Sequence, residues 1–150
     1  MKKLFGILSV AVLTMAFVVE KSDSSVTVNT PIQSESGIRF KNVSLERAKE
    51  LAAETDKLIF IDAYTSWCGP CKRMDATSFK DDEVGEIFND KFVNLKIDME
   101  KDADGPEVAK LYKVRAYPTL LIIDSKGKLV KSSVGFMTSD QLISLANSVD

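Results

Sequence analysis

The feature that most constrains this chain is a seven-residue apolar run, Leu58-Ile59-Phe60-Ile61-Asp62-Ala63-Tyr64, which leads into Trp67-Cys68-Gly69-Pro70-Cys71. A run this continuous is too apolar for a half-exposed strand and reads as a central strand covered on both faces. The segment from Lys72 onward reads as a helix, so the two cysteines stand where a buried strand gives way to a helix. Gly69 permits a tight turn, and Pro70 suits a first-turn position, where its missing N–H costs nothing. A cysteine at the start of a helix has free backbone N–H groups aimed at its sulfur, which favour the thiolate, the nucleophilic form. A second cysteine one turn on can close a disulfide with it. The pair reads as a reversible dithiol/disulfide switch.

Three plainer readings compete. Two cysteines could be half of a zinc site, but the chain has no histidine and no third cysteine, so carboxylates or a second chain would have to complete it. They could form a passive structural disulfide, although a loop this short constrains the unfolded chain little. They could be two buried apolar thiols, for which a Gly-Pro spacer ahead of a helix is poor core material.

At 150 residues the chain can build one domain with a core that needs no disulfide staples. A net charge of −2 argues against nucleic acid as a partner. The lack of histidine removes a His-based nucleophile triad, a haem–histidine site and a histidine pH switch. Neither a metal nor an organic cofactor is expected.

Lys2 and Lys3 precede the apolar stretch Leu4–Val19, the pattern of an export signal. Residues 1–19 therefore read as a signal peptide, with small residues allowing cleavage after Ala16, or as an uncleaved N-terminal membrane anchor. Export places the cysteines in an oxidising or redox-controlled compartment. Residues 20–37, rich in Ser, Thr, Asp and Asn, read as a linker. Residues 38–150 are the expected domain.

Within that domain Ile38–Phe40 alternates and reads as a short edge strand. Ser44 is the expected N-cap of a helix with the apolar stripe Leu45, Ala48, Leu51 and Ala52. Asp81 should cap a further helix that turns Val84, Ile87 and Phe88 inward. Phe92–Asp98 reads as the next strand, and Pro106 opens a helix after an acidic loop. Thr119–Ile123 is another buried strand. The turn Ser125–Lys128 should return Leu129–Val134 as an antiparallel hairpin. Ser139 is the expected N-cap of a closing helix with Leu142, Leu145, Ala146 and Val149 on one face. The element order implies an α/β fold, a mixed sheet with helices on both faces, parallel where crossovers connect the strands and antiparallel at the last hairpin.

With Trp67–Cys71, Asp62, Tyr117-Pro118-Thr119 and Gly135 in place, residues 38–150 resemble the thioredoxin superfamily. Met74–Phe79 and Asp81–Val84 look more like its exported bacterial members and the C-terminal domain of the periplasmic transmembrane thiol reductase. The resemblance implies the thioredoxin fold and a protein-disulfide reductase. Cys68 would attack a substrate disulfide, and the deeper, better shielded Cys71 would resolve the mixed disulfide. Asp62, the lone charge in its run, should have its pKa raised by burial and, by resemblance, helps move the proton of Cys71. The resemblance makes Tyr117–Pro118 a cis bond beside the cysteines, with Tyr117 backbone groups offered to an extended substrate. Trp67 is a candidate substrate contact, and Gly135 matches a glycine that leaves space beside the site. Thioredoxins usually carry a lysine four residues before the position of Asp98; here Asn94 stands there, so the charge partner of Asp62 is expected to be missing.

The partners implied are disulfide-containing envelope proteins as substrates and a membrane thiol reductase as electron donor, in the periplasm, with the protein soluble or tethered to the inner membrane. The alternatives are a disulfide isomerase or oxidant, and a non-catalytic thioredoxin-fold module that holds a client.

Overall fold

The computed structural model describes residues 36–149; the expected signal or anchor and nearly all of the expected linker lie outside the described residues. Helix α1 (Leu45–Thr55) starts at Ser44, whose hydroxyl accepts from the Arg47 N–H at 3.2 Å. Strand β1 (Leu58–Tyr64) follows, then α2 (Gly69–Ala76), a 3-10 turn at Ser78–Lys80, α3 (Asp82–Lys91) and β2 (Phe92–Asp98). Helix α4 (Gly105–Tyr112), strands β3 (Thr119–Ile123) and β4 (Leu129–Val134), and α5 (Ser139–Ala146) complete the chain.

The four strands form one sheet in the order β2-β1-β3-β4, with β1 parallel to β2 and antiparallel to β3, and β3 antiparallel to β4. The apolar run is thus an inner strand, buried from Ile59 to Ala63. Alternation along β1 splits the core into two layers. Ile59, Ile61 and Ala63 face an aliphatic layer with Leu45, Ala48 and Ala52 of α1 and Val108 of α4. Phe60 faces an aromatic layer with Met74 of α2, Phe79, Phe88 of α3 and Leu142 of α5. Helices cover both faces, as the element order implies.

Two expectations are corrected. Ile38–Phe40 forms no strand; only Lys41 makes a single parallel bridge, to Leu95 at the β2 edge. The segment instead docks through individual bonds, Ile38 N–H to Phe79 O at 2.8 Å and Arg39 N–H to Asn89 Oδ1 at 2.8 Å. Gly37 lies so close to Gly85 of α3 that a Cβ on Gly85 would meet the Gly37 carbonyl oxygen at 2.4 Å, and this contact holds the segment over α3 rather than along the sheet. The cap of α5 is Thr138, not Ser139: Thr138 Oγ1 accepts from Gln141 N–H, and the Gln141 side chain accepts from Thr138 N–H at 2.9 Å, a reciprocal box that Ser139 has no matching residue to make.

Candidate active site

Helix α2 begins earlier than Lys72. Cys68 is its N-cap, with extended backbone, and Gly69 and Pro70 form its first turn. The Cys68 sulfur occupies the position in which a capping oxygen usually sits and accepts from the Cys71 N–H at 3.2 Å. Cys68 and Cys71 are joined in a disulfide. Both cysteines are buried in this oxidised form, at 3% and 1% exposed, so Cys71 is hardly better shielded than Cys68. What separates them is position. Cys68 Sγ caps the start of α2 through the Cys71 N–H, whereas Cys71 lies inside α2 on the buried face it shares with Met74.

Tyr117–Pro118 is cis. The Pro118 carbonyl accepts from Gly135 N–H at 2.8 Å, which joins this turn to the end of β4. Gly135 has φ +100°, a conformation that disfavours side chains, and the space a Cβ would enter is open. Trp67, next to Cys68 in the chain, is 63% exposed. Its ring meets Tyr117 edge-on with centroids 5.8 Å apart. Its indole N–H donates to both carboxylate oxygens of Glu100, at 3.1 and 3.0 Å. Trp67 and Tyr117 are therefore brought together, with Glu100 as an unanticipated third member. The acidic loop directly after β2 was the sequence signal for it.

Asp62 is fully buried. Its charge partner is present, contrary to expectation: Lys96 Nζ donates to Asp62 Oδ2 at 3.0 Å. Asp62 and Lys96 are direct partners in the parallel β1–β2 register. Asn94 turns elsewhere, donating to Phe88 O at 3.3 Å and to Asn89 Oδ1 at 3.1 Å. Lys96 also pairs with Asp75 Oδ1 of α2, and its ammonium lies 4.4 Å from the Tyr64 ring centroid. The second oxygen of Asp62, Oδ1, is buried without a hydrogen-bond partner. Burial pushes the Asp62 carboxyl up from 3.8 to about 6, against the opposing pull of Lys96. Burial also works against the charge of Lys96, but Asp62 and Asp75 outweigh it and hold the ammonium above its ordinary value. Asp75 lies one turn after Cys71 on α2, so the Asp62–Lys96–Asp75 chain places the buried carboxyl under the helix that carries Cys71. Among the described residues no group of His, Cys, Asp or Glu side chains could hold a metal ion.

The sequence profile of the thioredoxin-like family matches residues 39–125, more than half of the chain. The chain is 34% identical over 120 residues to the chloroplastic thioredoxin Y1 of Arabidopsis thaliana, across 80% of this chain and 63% of that protein's length. It is 32% identical over 105 residues to the thiol:disulfide interchange protein DsbD of Actinobacillus pleuropneumoniae, across 68% of this chain but only 18% of that protein. The solution structure of a candidate disulphide isomerase from Bacteroides thetaiotaomicron superposes with a TM-score of 0.66 at 43% identity, covering 77% of this chain and 97% of that one. A profile spanning most of the domain, a sheet that superposes on that of a relative and a disulfide at the head of α2 converge: the chain belongs to the thioredoxin-like family, as an oxidoreductase with a close Cys-x-x-Cys pair.

Proposed function

We propose that this protein reduces protein disulfides in the cell envelope. The observation that carries the reading is the placement of Cys68 Sγ as the N-cap acceptor of α2, because the Cys71 N–H that bonds the sulfur in the disulfide, together with the helix dipole, also stabilises the thiolate released on reduction. In the reduced protein, Cys68 thiolate attacks one sulfur of a substrate disulfide. The substrate S–S bond breaks, a mixed disulfide forms, and the departing substrate thiolate takes up a proton. Cys71 gives its proton to Asp62 and attacks the Cys68 sulfur. The Cys68–Cys71 bond forms as the second substrate thiolate leaves and takes up the proton held by Asp62, which returns to its carboxylate. Two electrons have then passed to the substrate, and a dithiol donor of the membrane thiol-reductase class restores the pair. Trp67, Tyr117, Pro118 and Gly135 would border the groove for the extended substrate.

Export rests on Lys2, Lys3 and the apolar stretch Leu4–Val19. Similarity to part of the thiol:disulfide interchange protein DsbD supports a thiol-reductase partner. The chain spans 63% of the length of the chloroplastic thioredoxin. Mass spectrometry of the mature N-terminus in the native host tests export; a full-length cytosolic product would refute it.

Reduction of insulin in the presence of dithiothreitol tests the chemistry. The protein should accelerate precipitation well beyond the reductant alone; no acceleration would favour a client-binding module instead. A second reading, disulfide isomerisation, is favoured by the 43% identity to the candidate isomerase. Refolding of scrambled ribonuclease separates the two, since a reductase should not restore activity without added redox buffer.

A further inference from the structure

Three charged side chains from three elements meet below α2: Asp62 of β1, Lys96 of β2 and Asp75 of α2. Lys96 supplies one positive charge to two carboxylates. The carboxylates are not equivalent, because the Asp62 side chain is 0% exposed and that of Asp75 is 41% exposed. With both ionised the cluster carries one surplus negative charge. Its cost is lowest when the proton that cancels it sits on the group that water cannot reach. Asp62 Oδ1, buried and without a hydrogen-bond partner, is an atom that a proton could occupy. Remove Asp75, and Lys96 and Asp62 balance each other, so the reason for the proton weakens.

We propose that Asp75 is a positioning residue for Asp62: by sharing Lys96 it keeps the buried carboxyl protonated to a higher pH than the Asp62–Lys96 pair alone would. The inference rests on the function proposed above only in assigning a use to the shift: a carboxylate that binds its proton more tightly is the stronger base toward Cys71. The groups packed around the cluster leave few other sources for such an effect. Asp62 is opposite Leu120 on β3, and Lys96 is otherwise flanked by the rings of Tyr64, Phe40 and Phe79. Lys96 and Asp75 are the charges that act on the Asp62 carboxyl, Asp75 in the direction that favours its proton. The arrangement also ties the redox helix to the sheet. Asp75 is four residues after Cys71 and on the same side of α2, so a shift of α2 on opening the disulfide would alter the share of Lys96 left to Asp62.

The test follows the Asp62 carboxyl carbon by NMR across pH in the oxidised, 13C-aspartate-labelled protein, with the resonance assigned by its loss in Asp62→Asn. Asp75 is partly exposed, so Asp75→Asn should fold. The Asp62 midpoint should fall by roughly 0.5–1 pH unit in that variant, and Asp75→Glu should restore most of the difference. Lys96→Met should move it the opposite way. An unmoved midpoint in folded Asp75→Asn, or an equal fall in Asp75→Glu, overturns the proposal. The carbon titrates whether or not the protein reduces any substrate, so an inactive wild-type protein would count against the proposed function and not against the role of Asp75.

Discussion

The two faces of the sheet are built to different rules. The layer under α1 and α4 is aliphatic: Ile59, Ile61, Leu95, Leu121 and Ile123 pack there. The layer under α2, α3 and α5 is aromatic, with Phe60 edge-on to Phe88 at 4.8 Å and near Phe79 and Phe92 at 6.3 Å. Only the aromatic side admits the Asp62–Lys96 ion pair, and it is also the side on which Cys71 is buried. A buried ion pair is a poor source of stability. The pair lies among the rings of Tyr64, Phe40 and Phe79, which flank the Lys96 ammonium, and the function proposed above gives it a use in catalysis. Changes on the aromatic side should therefore affect both redox behaviour and stability, and changes on the aliphatic side stability alone.

The sharpest break separates the cysteines. Cys71→Ser should stop turnover and accumulate substrate adducts through Cys68 that a reductant releases; Cys68→Ser should stop turnover and trap nothing. Non-reducing gels of envelope extract with mass spectrometry would read both. Trapping by Cys68→Ser alone would reverse the assigned roles.

Core truncations come next. Phe60→Ala should cost about 3–5 kcal/mol and Leu121→Ala about 2–5 kcal/mol in urea denaturation. Insulin reduction, normalised to folded protein, should fall for Phe60→Ala and hold for Leu121→Ala. Equal loss in the two would erase the division between the faces.

Asp62→Asn offers a pH test. The folded protein holds the Asp62 proton more tightly than the unfolded chain, with a midpoint of about 6 against 3.8. Protonation therefore stabilises. The contribution is fully present below pH 3.8 and lost as pH rises through about 6. The loss is on the order of 3 kcal/mol. Asp62→Asn should remove this dependence and leave the variant the more stable protein at pH 7 by up to that amount. Urea denaturation from pH 4 to pH 8 would show it, and parallel profiles for wild type and variant would contradict it. Mixed-disulfide release near neutral pH should slow in the same variant, while the first attack is spared.

The smallest effects should be blind to the faces. Ser44→Ala uncaps α1 and Thr138→Ala uncaps α5, each costing about 1 kcal/mol with no change in the insulin assay per folded molecule.

These contrasts also mark what the sequence could convey. Strand β1 was legible because six apolar residues in a run of seven leave it no exposed face, and α3 because Asp81 does cap it, accepting from Glu83 and Val84 N–H. The cis bond was reachable only through the family resemblance. Lys96 is not legible as the partner of Asp62 because the family resemblance points to the position of Asn94. Alternation along β2 puts Asn94 and Lys96 on the same face, so a lysine one pleat further on could do the same work. The register that decides between them arises from the pairing of two strands, not from either alone. Asp75 was hidden for a related reason: its spacing from Cys71 gives its side of α2, but what lies beneath is a property of the assembled layers. Ile38–Phe40 has strand-like alternation, yet the Gly37–Gly85 contact draws it over α3 instead.

The hold on Trp67 has a spectroscopic consequence. The chain has a single tryptophan, adjacent to a redox cysteine and held between the Glu100 carboxylate and the Tyr117 ring. Disulfides quench excited indoles at short range and thiols do so less. Emission from this one fluorophore should rise when Cys68–Cys71 is reduced, so the protein carries its own optical readout of redox state. Glu100→Gln, which replaces the carboxylate acceptor of the indole N–H, should shift the emission maximum without abolishing that response.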